Sequence, residues 1–264
     1  MSASGVLSVW FVVVMALMTS LARETHRALY VPLVAWLAKR TTTSARLLVV
    51  MLGWFGVVLA CAIACGHLLA HAERSNGSTA FDSSITSWMV RHRSSGWTTL
   101  AHGLSRVGSQ VVLAPVAAVT AAALLLRRRF VPAGLLIAAW GGALLLYTLT
   151  KAFVQRPRPP SAIWLTNVGK TTSFPSGHAT QSLATFAALA LVAAAWTSRA
   201  AWPGRVLALV LAAGVGWSRV YLGVHWTTDV FAGWLIAAAW IAIVVWLATV
   251  ATVLESQRRD AQGP

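Results

Sequence analysis

The sequence predicts an all-α, polytopic transmembrane helix bundle, and three observations carry that reading. Hydrophobic residues make up 58% of the 264-residue chain and charged residues only 10%, against about 25% charged in an average soluble domain. The apolar residues fall into runs near the length that crosses a bilayer as a helix, roughly 20 residues. Charge is missing from those runs, as a lipid-facing surface requires.

The runs are read in order. The stretch 5–22 lacks the basic start and small-residue cleavage site of a signal peptide, and is expected to be an extra N-terminal transmembrane helix. Residues 28–37 are too short to span and are placed at the interface. Six further runs, 47–70, 110–126, 130–150, 179–197, 206–224 and 230–254, form the predicted core. The expected organisation is an anchor with a cytoplasmic linker over 1–45, one transmembrane domain over 46–254 and a cytoplasmic tail over 255–264. Cys61 and Cys65 share a helical face without metal or redox spacing, and are expected to be buried and inert.

The longest polar interruption is 71–109. Asp82-Ser83-Ser84 offers a helix cap, followed by Phe81, Ile85, Trp88 and Met89 at helical spacing. Ser94-Ser95-Gly96 breaks the pattern, and Trp97, Leu100, Leu104 and Val107 resume it. The segment reads as two amphipathic helices on the membrane surface, or as a lid over a lipid entry route.

Charge sets the orientation. The chain has 21 basic and 6 acidic residues. Arg23, Arg27, Lys39, Arg40, Arg46, Arg127, Arg128, Arg129, Arg199, Arg205, Arg258 and Arg259 fall on one side of the predicted spans. Short loops rich in Lys and Arg stay cytoplasmic. The segments 151–178 and 218–229 then lie together on the opposite, extracytoplasmic face, with 71–109. The basic residues are dispersed between apolar runs and form no stripe for nucleic acid.

Those two segments hold polar groups that a bilayer protein otherwise avoids. Lys151 ends an apolar run, and Arg158 follows within Gln155-Arg156-Pro157-Arg158-Pro159-Pro160, where the prolines stop the helix. A point charge and a planar guanidinium fork together suit a phosphate. Phe174-Pro175-Ser176-Gly177-His178 precedes an apolar helix, whose first-turn N–H groups form an anion cradle. Ser176 either caps that helix or faces the anion. Arg219 interrupts the next run. His225 and Asp229 are four apart, so on a helix they share a face and the carboxylate can fix the imidazole tautomer. A snorkelling Lys, an interfacial His and a helix-start Asp would each account for one residue, but not for all three segments at once. There is no Cys nucleophile and there are too few carboxylates for a two-metal site, which leaves phosphoryl transfer to imidazole.

This pattern resembles the type 2 phosphatidic acid phosphatase superfamily. Its motifs are Lys, six residues, Arg-Pro (Lys151 to Arg158-Pro159), then Pro-Ser-Gly-His (Pro175 to His178), then Ser-Arg, five residues, His, three residues, Asp (Ser218-Arg219, His225, Asp229). All three match in order, within a resemblance covering about 110–250. The resemblance implies that His225 attacks phosphorus to form a phosphohistidine and that Asp229 orients it. It implies that His178 protonates the leaving group and then activates water. Lys151, Arg158 and Arg219 would hold the phosphoryl oxygens, with Ser176 and the Gly177 N–H, and neither metal nor cofactor would be needed. The same motifs hold vanadate in soluble haloperoxidases of the superfamily, which this apolar chain does not match.

The expected substrate is a lipid phosphate drawn from the membrane. It is either a polyprenyl diphosphate, which an outer-face site suits somewhat better, or a glycerolipid phosphate such as phosphatidic acid or phosphatidylglycerol phosphate. A phospholipid transporter using the basic cluster only to bind is the competing class. Neither the lipid tail nor an oligomeric state is written in the sequence.

Overall fold

A computed structural model of the chain describes residues 44–76, 80–169, 172–194 and 198–262. The predicted anchor at 5–22 and the interfacial stretch 28–37 lie outside them. Among the described residues there are eight α-helices and no strand: α1 Ser44–Asn76, α2 Ala80–Arg91, α3 Ser95–Val107, α4 Gln110–Leu126, α5 Phe130–Phe153, α6 Gly177–Ala194, α7 Ser198–Tyr221 and α8 Thr227–Gln262. Two compact units are distinguished. Val49–Thr249 carries the entire candidate site, and the two chain ends contribute to the other only the helical turns 44–48 and 250–262 here. The region 255–262, expected as a tail, continues the α8 helix.

Four helices are long and apolar enough to cross a membrane: Val50–His71, Phe130–Phe153, Gly177–Ala194 and Thr227–Thr252. At 1.5 Å rise per residue, the 24 residues of α5 cover roughly 36 Å, more than a bilayer core of about 30 Å. The six predicted runs therefore do not all qualify singly. The 17 residues of α4 are too few, and α4 reaches the criterion only together with α3, from which it bends by 41°. The bend falls at Gly108-Ser109, where a Cβ on Gly108 would lie 2.3 Å from Val215 of α7. Helix α7 has 24 residues but carries Arg199, Arg205, Ser218 and Arg219, which lower its hydropathy.

The helices pack through small residues. One core cluster joins Ala62, Ala143, Leu146, Ala184, Ala212, Ile236, Ala237 and Trp240. A Cβ on Gly142 would fall 2.2 Å from the Trp240 ring, and one on Gly216 the same distance from Trp234. Glycine at these two points lets α8 close on α5 and α7, the small-residue approach that helix pairs in lipid depend on. The outward faces stay apolar: Leu52, Trp54, Leu68, Leu145, Val210 and Leu235 are exposed. Cys61 and Cys65 are exposed as well, contrary to the burial expected of them. They sit on the outward side of α1, while Ala62 and Gly66 take the inward positions.

The two short helices expected in 71–109 are present as α2 and α3, each with an exposed apolar face. On α2, Asp82, Thr86 and Met89 face inward, and Phe81 and Trp88 are exposed. On α3, Ala101 and Ser105 are buried, and Trp97, Leu100 and Val107 are exposed. Asp82 is not the cap of its own helix, as its Ser-rich context suggested. The helix starts at Ala80, and the Asp82 carboxylate points away to bind α8.

Candidate active site

Three stretches of chain meet at one end of the Val49–Thr249 unit. Pro157 and Pro159 follow α5 and hold residues 154–160 out of helix, so this segment runs extended towards the turn after α7. Backbone bonds stitch the two together. Leu165 N–H donates to Leu222 O at 3.0 Å, and Ser173 N–H to Arg156 O at 2.8 Å. The Trp226 indole N–H donates to Pro157 O at 3.0 Å. Gly223 turns the chain with φ +74°, and a Cβ there would fall 2.6 Å from Ile163 O. Arg93, between α2 and α3, binds the same place. It donates to Ile163 O and to Tyr221 O, both at 2.8 Å.

This turn delivers His225, which is 3% exposed. It lies two residues ahead of α8, not on a helix with Asp229 as its spacing predicted. The two still meet, because the first turn of α8 folds back under the imidazole: His225 Nδ1 is 3.5 Å from Asp229 Oδ2. At that distance the two are in polar contact without a hydrogen bond, and Nδ1 has no hydrogen-bond partner among the described residues. The far ring nitrogen, Nε2, lies 3.2 Å from Arg158 Nη1. A guanidinium only donates. Nε2 is therefore the acceptor, and the proton of a neutral ring sits on Nδ1, on the side of Asp229. Burial first, then the charges of Arg158, Lys151, Arg219 and His178, hold the His225 imidazole well below its ordinary 6.5.

The remaining predicted residues stand in the same neighbourhood, as their joint field at His225 requires. Arg158 also donates to Val224 O. Lys151 Nζ donates to Thr172 O at 2.6 Å, which ties the end of α5 to the loop before α6. Arg219, 4% exposed at the end of α7, donates from Nη1 to Ser105 Oγ of α3. Its Nε is buried and unpartnered among the described residues. Ser176 precedes α6, and its carbonyl accepts the Thr180 N–H at 3.0 Å. Its Oγ does not cap the helix. It is fully buried and without a partner among the described residues. His178 occupies the second position of α6, half-buried. Gly177 is the first residue, where a Cβ would press on the Tyr147 ring at 3.0 Å. Gly233, one turn beyond Asp229, lets α8 lie on α6: a Cβ there would be 2.8 Å from Thr180 Oγ1.

Several residues of this site were not singled out from the sequence. Asp229 accepts from Arg156 Nη1 at 2.6 Å on Oδ1, and from Ser173 Oγ and Trp226 N–H (2.9 Å) on Oδ2. Arg156 Nη2 also binds Asp82 Oδ2 at 2.9 Å, and both side chains are fully buried. Arg156 enters the sequence reading only as a member of the proline-rich stretch Gln155 to Pro160. The available signal was its place among prolines that forbid a helix. Asp82 could have been found as one of only six acidic residues, set in a segment whose other spaced positions are apolar.

The arrangement offers an unprotonated imidazole nitrogen directed at a cluster of cations, beside the N-terminus of α6. Known proteins are similar to this chain. The sequence model described as the PAP2 superfamily matches residues 129–252. Phosphatidylglycerophosphatase B of Bacillus subtilis (strain 168) is 28% identical over 63% of this chain and 82% of its own length. An undecaprenyl-diphosphatase of Sulfolobus acidocaldarius is 33% identical over 51% of this chain and 63% of its own. The crystal structure of a transmembrane PAP2 type phosphatidylglycerolphosphate phosphatase from Bacillus subtilis superimposes with a TM-score of 0.62. It is 26% identical and covers 70% of this chain and 93% of that one.

Proposed function

Residues 129–252 form a PAP2 superfamily segment, and on that premise we propose that this multi-pass membrane protein hydrolyses the phosphate of a membrane lipid through His225. The observation that carries the reading is the 3.2 Å approach of Arg158 Nη1 to His225 Nε2, which keeps that nitrogen unprotonated among cations; its lone pair is released for attack when Arg158 turns its donor to a phosphoryl oxygen. His225 attacks phosphorus along that lone pair. The Nδ1 proton gains an ionic partner in Asp229 as the ring becomes positive. Lys151, Arg158 and Arg219 neutralise the three phosphoryl oxygens. The unpartnered Ser176 hydroxyl and the Gly177 N–H at the start of α6 add donors where charge builds. His178, at the second position of the same helix, protonates the leaving oxygen and then activates the water that cleaves the phosphohistidine. The cationic trio supplies the charge that a metal ion would otherwise bring, so the reaction proceeds in EDTA.

The substrate is a lipid diphosphate or monophosphate taken from the outer leaflet. Two names support that class: one relative is an undecaprenyl-diphosphatase and another a phosphatidylglycerophosphatase. The positive-inside balance supports an extracytoplasmic site, which suits recycling of a polyprenyl carrier. A non-catalytic phospholipid transporter is the rival, and it predicts headgroup binding without turnover. The deciding experiment measures phosphate release from polyprenyl diphosphate, phosphatidic acid and phosphatidylglycerol phosphate by the purified protein in detergent with EDTA. The expected result is release by the unaltered protein and none by His225→Ala. Equal release by the variant would remove the nucleophile, and release from no lipid would favour the transporter.

A further inference from the structure

Asp82 lies outside every segment to which the reading above gives a role, yet it is fully buried against the start of α8. Its Oδ1 accepts the Thr228 N–H at 3.0 Å, across 146 residues of chain. Its Oδ2 accepts the Thr228 hydroxyl at 2.6 Å and Arg156 Nη2 at 2.9 Å. The Thr228 oxygen in turn accepts Arg156 Nη1 at 2.7 Å, and that same nitrogen reaches Asp229 Oδ1 at 2.6 Å. The result is a closed ring of donors and acceptors in which one arginine serves two carboxylates.

Two consequences follow from elementary electrostatics. Thr228 N–H is one of the first-turn donors of α8 that no intrahelical carbonyl can satisfy. An anionic cap on it, favoured by the helix dipole, fixes the turn on which Asp229 sits. The second concerns charge. Arg156 facing Asp229 alone would make a neutral pair and leave little field at His225. With both carboxylates ionised the trio carries a net negative charge, and Asp229 presents the excess to the imidazole.

We propose that Asp82 is a positioning residue for the reaction: through Arg156 and Thr228 it sets the place and the charge of Asp229 beneath His225. This rests on the reading of His225 as nucleophile. Helix α2 thereby becomes part of the catalytic apparatus without touching substrate, and an acidic residue in a helix with an exposed apolar face acquires a reason to be there.

The test is kinetic and spectroscopic, on the full chain in detergent. Asp82→Asn is expected to lower kcat by about 10- to 100-fold, the scale on which a displaced catalytic group is felt, with KM changed less than about twofold. Asp82→Glu restores the larger part. In an Asp229→Asn background, Asp82→Asn costs less than about twofold, because its effect passes through Asp229. An unchanged kcat overturns the proposal, and so does additivity in the double variant. So does a loss that follows the melting temperature and that Glu does not repair. Should Asp82→Asn fail to fold, Thr228→Val opens the ring while keeping the ion pair, and is held to the same criteria. Nitrogen-15 spectra of His225 read the coupling apart from turnover. Asp82→Asn is expected to shift the ring towards the Nε2–H tautomer, and an unmoved His225 signal overturns the proposal even if no lipid is hydrolysed. An inactive unaltered protein whose His225 responds to Asp82 would instead overturn the hydrolytic reading alone.

Discussion

Arg158 Nη1 faces His225 Nε2 at 3.2 Å, so a permanent cation sits at the unprotonated nitrogen of the ring. Such a neighbour opposes protonation, and burial opposes it more strongly. The pH behaviour follows. Because kcat/KM reports the free enzyme, its acid limb is expected clearly below the ordinary imidazole value of about 6.5. Arg158→Gln should move that limb upward without restoring 6.5, since burial remains, and should cut kcat/KM by about 10²- to 10³-fold, as loss of one preorganised donor does. Stability has the matching sign. The unfolded chain binds this proton more readily than the folded one, so stability is lost as pH falls below about 6.5. A pH–rate profile and melting curves at pH 4 to 8 check both.

Ser105 should matter to substrate binding although it lies far from the motifs in sequence. It accepts the Arg219 Nη1 donor and thereby aims the guanidinium. Ser105→Ala is expected to lower kcat/KM by about 2- to 10-fold, the worth of one hydrogen bond at about 0.5–1.5 kcal/mol. The same change in an Arg219→Ala background should cost nothing further. Steady-state assays of the four proteins give the answer.

Gly223 is the hinge of the turn that presents His225. Its φ of +74° is unfavourable for any residue with a Cβ, and that Cβ would collide with Ile163 O at 2.6 Å. Gly223→Ala should destabilise the protein by at least about 1–2 kcal/mol, visible as a lower melting temperature in detergent. It should also lower kcat, because the turn and the 154–176 loop must part. A variant with unchanged melting temperature and rate would show that the turn is not held as described.

Orientation has its own check. In a chain with Cys61 and Cys65 replaced by Ala, Ser161→Cys introduces one thiol on the exposed loop beside Arg158. The positive-inside reading expects an impermeant maleimide to label it in intact cells. Labelling only after lysis would put the site on the cytoplasmic face.

What the sequence disclosed and what it hid divide along physical lines. Apolar runs near the bilayer length revealed α1, α5, α6 and α8 because lipid imposes length and composition on each helix separately. The 206–224 run is read as a span as well, but its helix, α7, carries Arg199, Arg205 and Arg219, which dilute its hydropathy, and it is not among the four that qualify. Short-range spacing brought His225 and Asp229 together correctly, although by a turn running into α8 rather than by a shared helical face. Partnerships across long stretches of chain stayed hidden. Arg156 with Asp82, Arg219 with Ser105 and Arg93 with Tyr221 each join residues at least 70 apart, and no local pattern encodes such a choice. The amphipathic pattern of α2 and α3 is legible in Phe81, Trp88, Trp97 and Leu100, which are exposed, whereas the inward placing of Asp82, Thr86 and Ser105 is not.

The ring around Arg156 also bears on how the molecule is made. Asp82 and Arg156 are synthesised well before residue 229, and together they are neutral, so the growing chain can commit both to the membrane without a stranded charge. The second carboxylate arrives with α8. A polypeptide interrupted before Thr227 would hold Lys151, Arg158 and Arg219 but have no Asp229 beneath His225. On the proposed reading, hydrolytic power is withheld from the nascent protein until α8 is in place.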